Sequence, residues 1–144
     1  MGLLRIAQAP IVTVGPDTTV LEAVRMMDRQ TIGAVAVVEN GNLVGIFSER
    51  DVMLRVVLAR RNAEQTPIRA VMSSPVETIR RDSLADDALK MMLEKHIRHL
   101  PVIDFEGKPV GMLSIRNLLH EKVADLTDQL DSLEAYFSAD GVGG

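Results

Sequence analysis

The chain contains no cysteine and no tryptophan. Without thiols there is no disulfide, no thiolate zinc site and no cysteine nucleophile. Aromatic residues make up only 3% of the 144 residues, too few for the stacking platforms that hold single-stranded nucleic acid. Positive charge is also short: 16 Lys and Arg against 20 Asp and Glu leave a net charge of −4. That balance argues against a nucleic-acid partner, since neutralising phosphates needs a basic face. No apolar run approaches the length of a membrane span, so no membrane partner is expected. The opening MGLLRIAQAP is a poor signal peptide, and Ile6 stands where a myristoylation motif needs Ser or Thr. The expected compartment is the cytoplasm. There is no Walker loop and no G-x-G-x-x-G. His96, His99 and His120 have no carboxylate spaced to make a base or a metal site, so neither an enzyme nor a metal site is expected.

What the chain does have is a hydrophobic content of 47% and a phrase written twice. Residues 44–51 read VGIFSERD, and residues 110–117 read VGMLSIRN. Sliding the chain by 65 positions puts Pro10 on Pro75, Thr13 on Thr78, Asp17 on Asp82, Met27 on Met92 and Val37 on Val102. Beyond the turn ENGN, which becomes DFEGK, the offset grows to 66 and Gly41, Gly45, Ser48 and Arg50 fall on Gly107, Gly111, Ser114 and Arg116. The chain therefore divides into copy one, residues 1–62, and copy two, residues 63–124. A helical extension over 125–137 and a disordered tail over 138–144 follow.

Each copy reads β-α-β-β-α, an α+β unit. A short extended piece leads into a helix, TTVLEAVRMMDRQ or SLADDALKMMLEKH. Capping boxes are expected at Thr19 with Glu22 and at Ser83 with Asp86. Val20, Ala23, Val24 and Met27 give the first helix an apolar face, and the paired methionines read as core filler. A β-branched run, a glycine turn and a second strand make a hairpin. The last helix begins at Ser48 or Ser114.

Ser48 and Asp51 sit three apart at the first turn of that helix. Two readings stand side by side. The pair is a capping box, or the carboxylate accepts from both hydroxyls of a ribose. The two also coexist if Ser48 caps the helix and Asp51 is left for the diol. In copy two the acid becomes Asn117, a neutral group with one acceptor oxygen.

Two tandem units ending in Gly-h-h-Ser-x-x-Asp/Asn, with the stretches GIFSERD, KHIRHLPVID and GMLSIRNLL, resemble a cystathionine-β-synthase (CBS) domain pair, or Bateman module. The likeness covers nearly the whole chain and extends to stand-alone bacterial CBS-pair proteins. It implies two units packed about a pseudo-twofold axis, with two clefts that take AMP, ADP, ATP or NAD as regulatory ligands and no required cofactor. Ribose then falls to Ser48, Asp51, Ser114 and Asn117. Phosphate falls to Arg50, Arg98, His99 and Arg116. One cleft gathers Ser48, Arg50 and Asp51 with Ser83, Ala88, Ile97 and Arg98. The other gathers Ser114, Arg116, Asn117, Arg98 and His99 with Thr18, Ala23, Ile32 and Gly33. Adenine is expected against backbone near Val14 or Ile79. The family further implies a sensor that reports occupancy to a protein partner; a purely structural interaction module is the alternative.

Leu119, Val123, Leu126, Leu130, Leu133 and Phe137 are spaced 4, 3, 4, 3, 4, which is a heptad seam. The helix carrying it either folds back on its own module or pairs in a homodimer.

Overall fold

The computed structural model describes residues 2–141. Six strands form two three-stranded sheets of identical order. Copy one runs β1 (Thr13–Val14), α1 (Val20–Gln30), β2 (Ala34–Glu39), β3 (Asn42–Ser48) and α2 (Glu49–Asp51, continued as a π-helix over Val52–Val57). Copy two runs β4 (Ile79–Arg80), α3 (Ala85–Lys95), β5 (His99–Ile103), β6 (Pro109–Ser114) and α4 (Ile115–Gly141). In each sheet the first pairing is parallel and the second antiparallel. Even the register shifts match, lying between Val37 and Val38 and between Val102 and Ile103.

The repeated turns have repeated causes. Asn40 and Gly41 both take positive φ, the geometry that closes a two-residue hairpin with the right twist. The longer loop of copy two is held by Asp104, whose Oδ1 accepts from the backbone of Glu106 and of Lys108, with Gly107 at φ 81. Helices α1 and α3 stop at left-handed Thr31 and His96, where the following amides return to Met27 and Met92. His96 is thereby explained as a helix stop. Thr19 caps α1 as expected, its hydroxyl accepting from the Glu22 amide. Ser83 does not cap α3. That helix starts one residue later than the capping box requires, with Leu84 at the cap position and no side chain bonded there.

Strand β2 explains its own sequence. Val35 and Val37 enter the copy-one core with Ala23, Met27 and Phe47. Ala34 and Ala36 face the other way and pack against Met112 of copy two. A strand covered on both faces has no position for the polar residues of an ordinary alternating strand, hence AVAVV. The small alanines let the two sheets approach.

The sequence division at 62/63 is crossed by the fold. Residues 3–8 pack on copy two: Leu3 is fully buried with Ile79, Met92 and Leu100, and Gln8 exchanges backbone hydrogen bonds with Met112. Residues 68–73 pack on copy one: Ile68 is fully buried with Val20 and Phe47, and Ser73 exchanges backbone bonds with Ile46. Each copy is thus completed by a leading segment from the other side of its boundary. Gly45 and Gly111 lie where these segments cross. A Cβ on Gly111 would meet Leu4 at 2.8 Å and Ala7 at 3.2 Å, and one on Gly45 would meet the flexible Met72.

Helix α4 leaves the body after its first two turns. Leu118 is buried, Arg5 pairs with Glu121, and Lys122 lies 3.4 Å from Asp86. From Val123 to Phe137 every residue is exposed, so the extension does not fold back on its own module. Residues 138–141 of the expected tail continue the helix; 142–144 lie outside the described residues. Among the described residues no helix is long and apolar enough to cross a membrane.

Candidate functional site

The two copies of the repeated phrase end in different places. Ser48 caps α2, accepting from the Asp51 amide, while Asp51 Oδ2 accepts from the Ser48 amide at 3.0 Å and from its hydroxyl at 3.2 Å. Oδ1 accepts from the Ser73 hydroxyl at 2.9 Å and lies 3.5 Å from Arg55 Nε. Asp51 is buried, and both oxygens are engaged by protein. The carboxylate is therefore a clasp between α2 and the leading segment of copy two, and a ribose would have to displace Ser73 or Ser48 to reach it. Arg50 is exposed beside it.

In copy two Ser114 accepts from the Asn117 amide at 3.0 Å, keeping the helix cap. The Asn117 side chain is less committed. Its Nδ2 reaches the Ile6 carbonyl at a long 3.4 Å, and its oxygen has no hydrogen bond among the described residues. The polarity is inverted relative to copy one: Asp51 accepts a hydrogen bond from the leading segment, and Asn117 donates one.

Ser114, Arg116 and Asn117 open onto a cleft of about 1050 Å³ between the copies. Copy two supplies them with Arg98, His99, Met112 and Ile115. Copy one faces them with Val24, Met27, Asp28, Ile32, Gly33, Glu49 and Val52. The cleft therefore has a basic and amide wall from one copy and a mostly apolar wall from the other. That is the combination an aromatic base with an anionic arm requires. Strand register produces it: β5 begins at His99, paired with Ser114, so the residues leading into one strand lie beside the cap of the next helix.

Gly33 keeps the cleft open. A Cβ there would lie 2.4 Å from Glu49 Oε1 and 3.0 Å from His99 Nε2. The imidazole and the carboxylate therefore converge over bare backbone. Burial pushes the His99 pKa below its ordinary 6.5, and Arg98 acts in the same direction, while Glu49 partly opposes them. His99 is thus mostly neutral at pH 7.

Of the expected residues, Arg98, His99, Ser114, Arg116, Asn117, Ile32 and Gly33 meet in this cleft. Others do not. Ala23 and Ala88 are fully buried in the two cores, where their small side chains let helix approach sheet, so neither lines an adenine pocket. The side chains of Val14 and Ile79 also turn into those cores, which leaves their backbone groups, on which the adenine expectation rested, unaffected. Ile97 packs on the copy-two core. Thr18 and Ser83 sit in the turns before α1 and α3, away from the cleft walls. Arg98, assigned to both clefts, joins the copy-two phrase. Sequence reading missed Gln8, Asp28 and Glu49. Glu49 adjoins the motif and was legible as a polar side chain at the first turn of α2. Gln8 was not, because nothing in a repeat alignment says which copy a leading segment joins.

Fold and cleft together define a two-lobed α+β module built by internal duplication, with a ligand-sized cleft shared by the lobes. The model of the CBS domain matches residues 5–58 and again 68–124, and the chain belongs to that family as a tandem pair. YhcV, a CBS domain-containing protein of Bacillus subtilis, is 34% identical over 108 residues, covering 75% of this chain and 76% of that protein. MK0525 of Methanopyrus kandleri is 34% identical over 115 residues; the match takes 79% of this chain but only 59% of that longer protein. Among solved structures, a CBS-domain protein from Burkholderia ambifaria superposes with a TM-score of 0.80 at 31% identity, covering 87% of this chain and 96% of that one. Two more distant pairs share the fold: CBSX2, solved with AMP, at 21% identity and TM-score 0.70, and the CBS pair of MJ0100, solved with 5′-methylthioadenosine and S-adenosyl-L-methionine, at 22% and 0.77.

Proposed function

We propose that the protein is a regulatory sensor that binds an adenine nucleotide (AMP, ADP, ATP or NAD) in the copy-two cleft and reports occupancy to a protein partner. The observation carrying this reading is the convergence of Arg98, His99 and Arg116 with the uncommitted Asn117 amide opposite the apolar Val24, Met27 and Ile32. Arginine supplies a permanent, forked phosphate donor. Asn117 and Ser114 supply groups for ribose hydroxyls, and the apolar wall takes the base. Adenosine-type ligands in CBSX2 and MJ0100 support the ligand class. Because both copies line the cleft, a ligand that prefers one relative arrangement shifts the pair toward it by its differential affinity. A ligand of this kind fits a protein working in the cytoplasm.

The copy-one phrase favours a second reading for its own half. With Asp51 clasping Ser48 and Ser73, VGIFSERD is architecture, as in a structural interaction module.

Thermal shift with AMP, ADP, ATP and NAD, added singly, tests the proposal. A ligand that binds only the folded state raises the midpoint. One nucleotide is expected to do so in the wild type, less in Asn117→Ala, and not in Arg98→Ala. No shift with any of them refutes the reading, as does a shift that survives Arg98→Ala.

A further inference from the structure

The walls of the cleft differ in sign as well as in polarity. Its charged lining is Arg98 and Arg116 from copy two and Asp28 and Glu49 from copy one, so the formal charges of the lining cancel. All of these side chains are exposed, and among the described residues none makes an ion pair. Opposite charges therefore line one cleft without closing it. The backbone aims Glu49 at the basic wall. Its amide donates to the Gly33 carbonyl at 3.0 Å, which ties the first turn of α2 to the segment before β2. Glu49 Oε1 and His99 Nε2 then crowd the same point, where a Cβ on Gly33 would fall, the imidazole at 3.0 Å and the carboxylate closer still. The acid belongs to copy one alone. The matched position of copy two is Ile115, so the fold does not require a carboxylate there.

We infer that Glu49, backed by Asp28, is a specificity-determining residue that limits how much negative charge the cleft admits, selecting an adenine nucleotide with one phosphate over its di- and triphosphate forms. This inference rests on the nucleotide reading of the cleft. The guanidinium groups of Arg98 and Arg116 match a single dianionic phosphate. Each phosphate added to that arm brings about one more negative charge. Among the described residues the cleft has no further cation to meet it, because His99 is mostly neutral at pH 7. The added charge meets Glu49 beside His99, and Asp28 on the same wall. At about 7 Å, in an open cleft with a dielectric close to that of water, one such repulsion lowers affinity roughly threefold. Two extra charges lower it about tenfold on the same arithmetic. The base and the ribose carry no charge and do not feel this barrier, so it sorts ligands by the length of the phosphate arm.

Titration calorimetry on the full chain tests this, with AMP, ADP and ATP added singly in metal-free buffer at neutral pH to the wild type and to Glu49→Gln. Glutamine keeps the size of the side chain and the amide bond to Gly33, so the variant should melt close to the wild type. The wild type should bind AMP more tightly than ADP and ADP more tightly than ATP, with about tenfold between the extremes. Glu49→Gln should bring ATP within about threefold of AMP, while AMP itself binds as well as before or slightly better. Added salt should narrow the wild-type gap more than the gap in the variant. A wild type that binds ATP as tightly as AMP overturns the inference. So does a preference for AMP that Glu49→Gln leaves intact, which would assign it to the length of the cleft. Loss of AMP binding in Glu49→Gln overturns it as well, since the carboxylate would then be a ligand contact and not a barrier. A wild type that binds none of the three fails earlier, at the nucleotide reading itself.

Discussion

Replacing Asp51 by alanine should unfold the protein more easily with no nucleotide present, and the structure sets the size of the effect. Three protein donors reach this carboxylate: the Ser48 amide at 3.0 Å, the Ser48 hydroxyl at 3.2 Å and the Ser73 hydroxyl at 2.9 Å. Losing the reciprocal cap on α2 costs about 1 kcal/mol. Losing the hydrogen bond between a charged acceptor and Ser73, at a site only 7% exposed, costs about 2 kcal/mol more. Arg55 is half exposed and 3.5 Å away, and adds little. The expected loss is about 3 kcal/mol, or a fall in midpoint of about 6–12 °C for a domain of this size. Urea denaturation of the ligand-free protein measures it. Ser73→Ala should cost about 1–2 kcal/mol by itself and almost nothing once Asp51 is gone, because both variants break one bond. An Asp51→Ala protein within about 0.5 kcal/mol of wild type would refute the clasp and return the carboxylate to the ligand.

Two further outcomes follow from other parts of the molecule. Leu3→Ala empties a fully buried site and should destabilise the protein by about 2–4 kcal/mol; amide exchange in β4–β6 should then accelerate before that in β1–β3, and a uniform response would refute the docking of residues 3–8 on copy two. His99 has a folded pKa below its unfolded value, so the unfolded state takes up the proton first and stability falls as pH drops below about 6.5; melting of wild type and His99→Gln across that window should show the slope only in the wild type.

Much of this was legible because duplication prints the same information twice. The two β-α-β-β-α units, the glycine turns and the extra residue of the second hairpin all follow from matched residues. Ser83 misled because Ser-x-x-Asp is a cap only if the helix begins there, and α3 begins one residue later. Ala23 and Ala88 misled for a different reason: a small residue at a matched position suits close helix packing as well as ligand approach, and burial alone decides between them. The fate of Asp51 was hidden because one of its partners, Ser73, is remote in sequence. Its counterpart in copy two is Gln8, so the clasp has no echo for an alignment to find. The heptad stripe of α4 was legible because a period of seven needs no tertiary information, but that the stripe stands free of its own module was not, since that depends on where the helix leaves the body.

The exchanged leading segments also set an order on folding. Residues 3–8 are synthesised well before the surface they dock on, which is built from β4, α3, β5 and β6 and does not exist until Ser114 has emerged. Copy one cannot close early either, because Ile68 and Ser73 belong to its core and its clasp. Copy one is therefore not a finished domain when its own repeat has left the ribosome, and copy two is finished only by taking up residues made long before it. The final step links residues 3–8 to strands far along the chain, a contact of long sequence separation that slows folding.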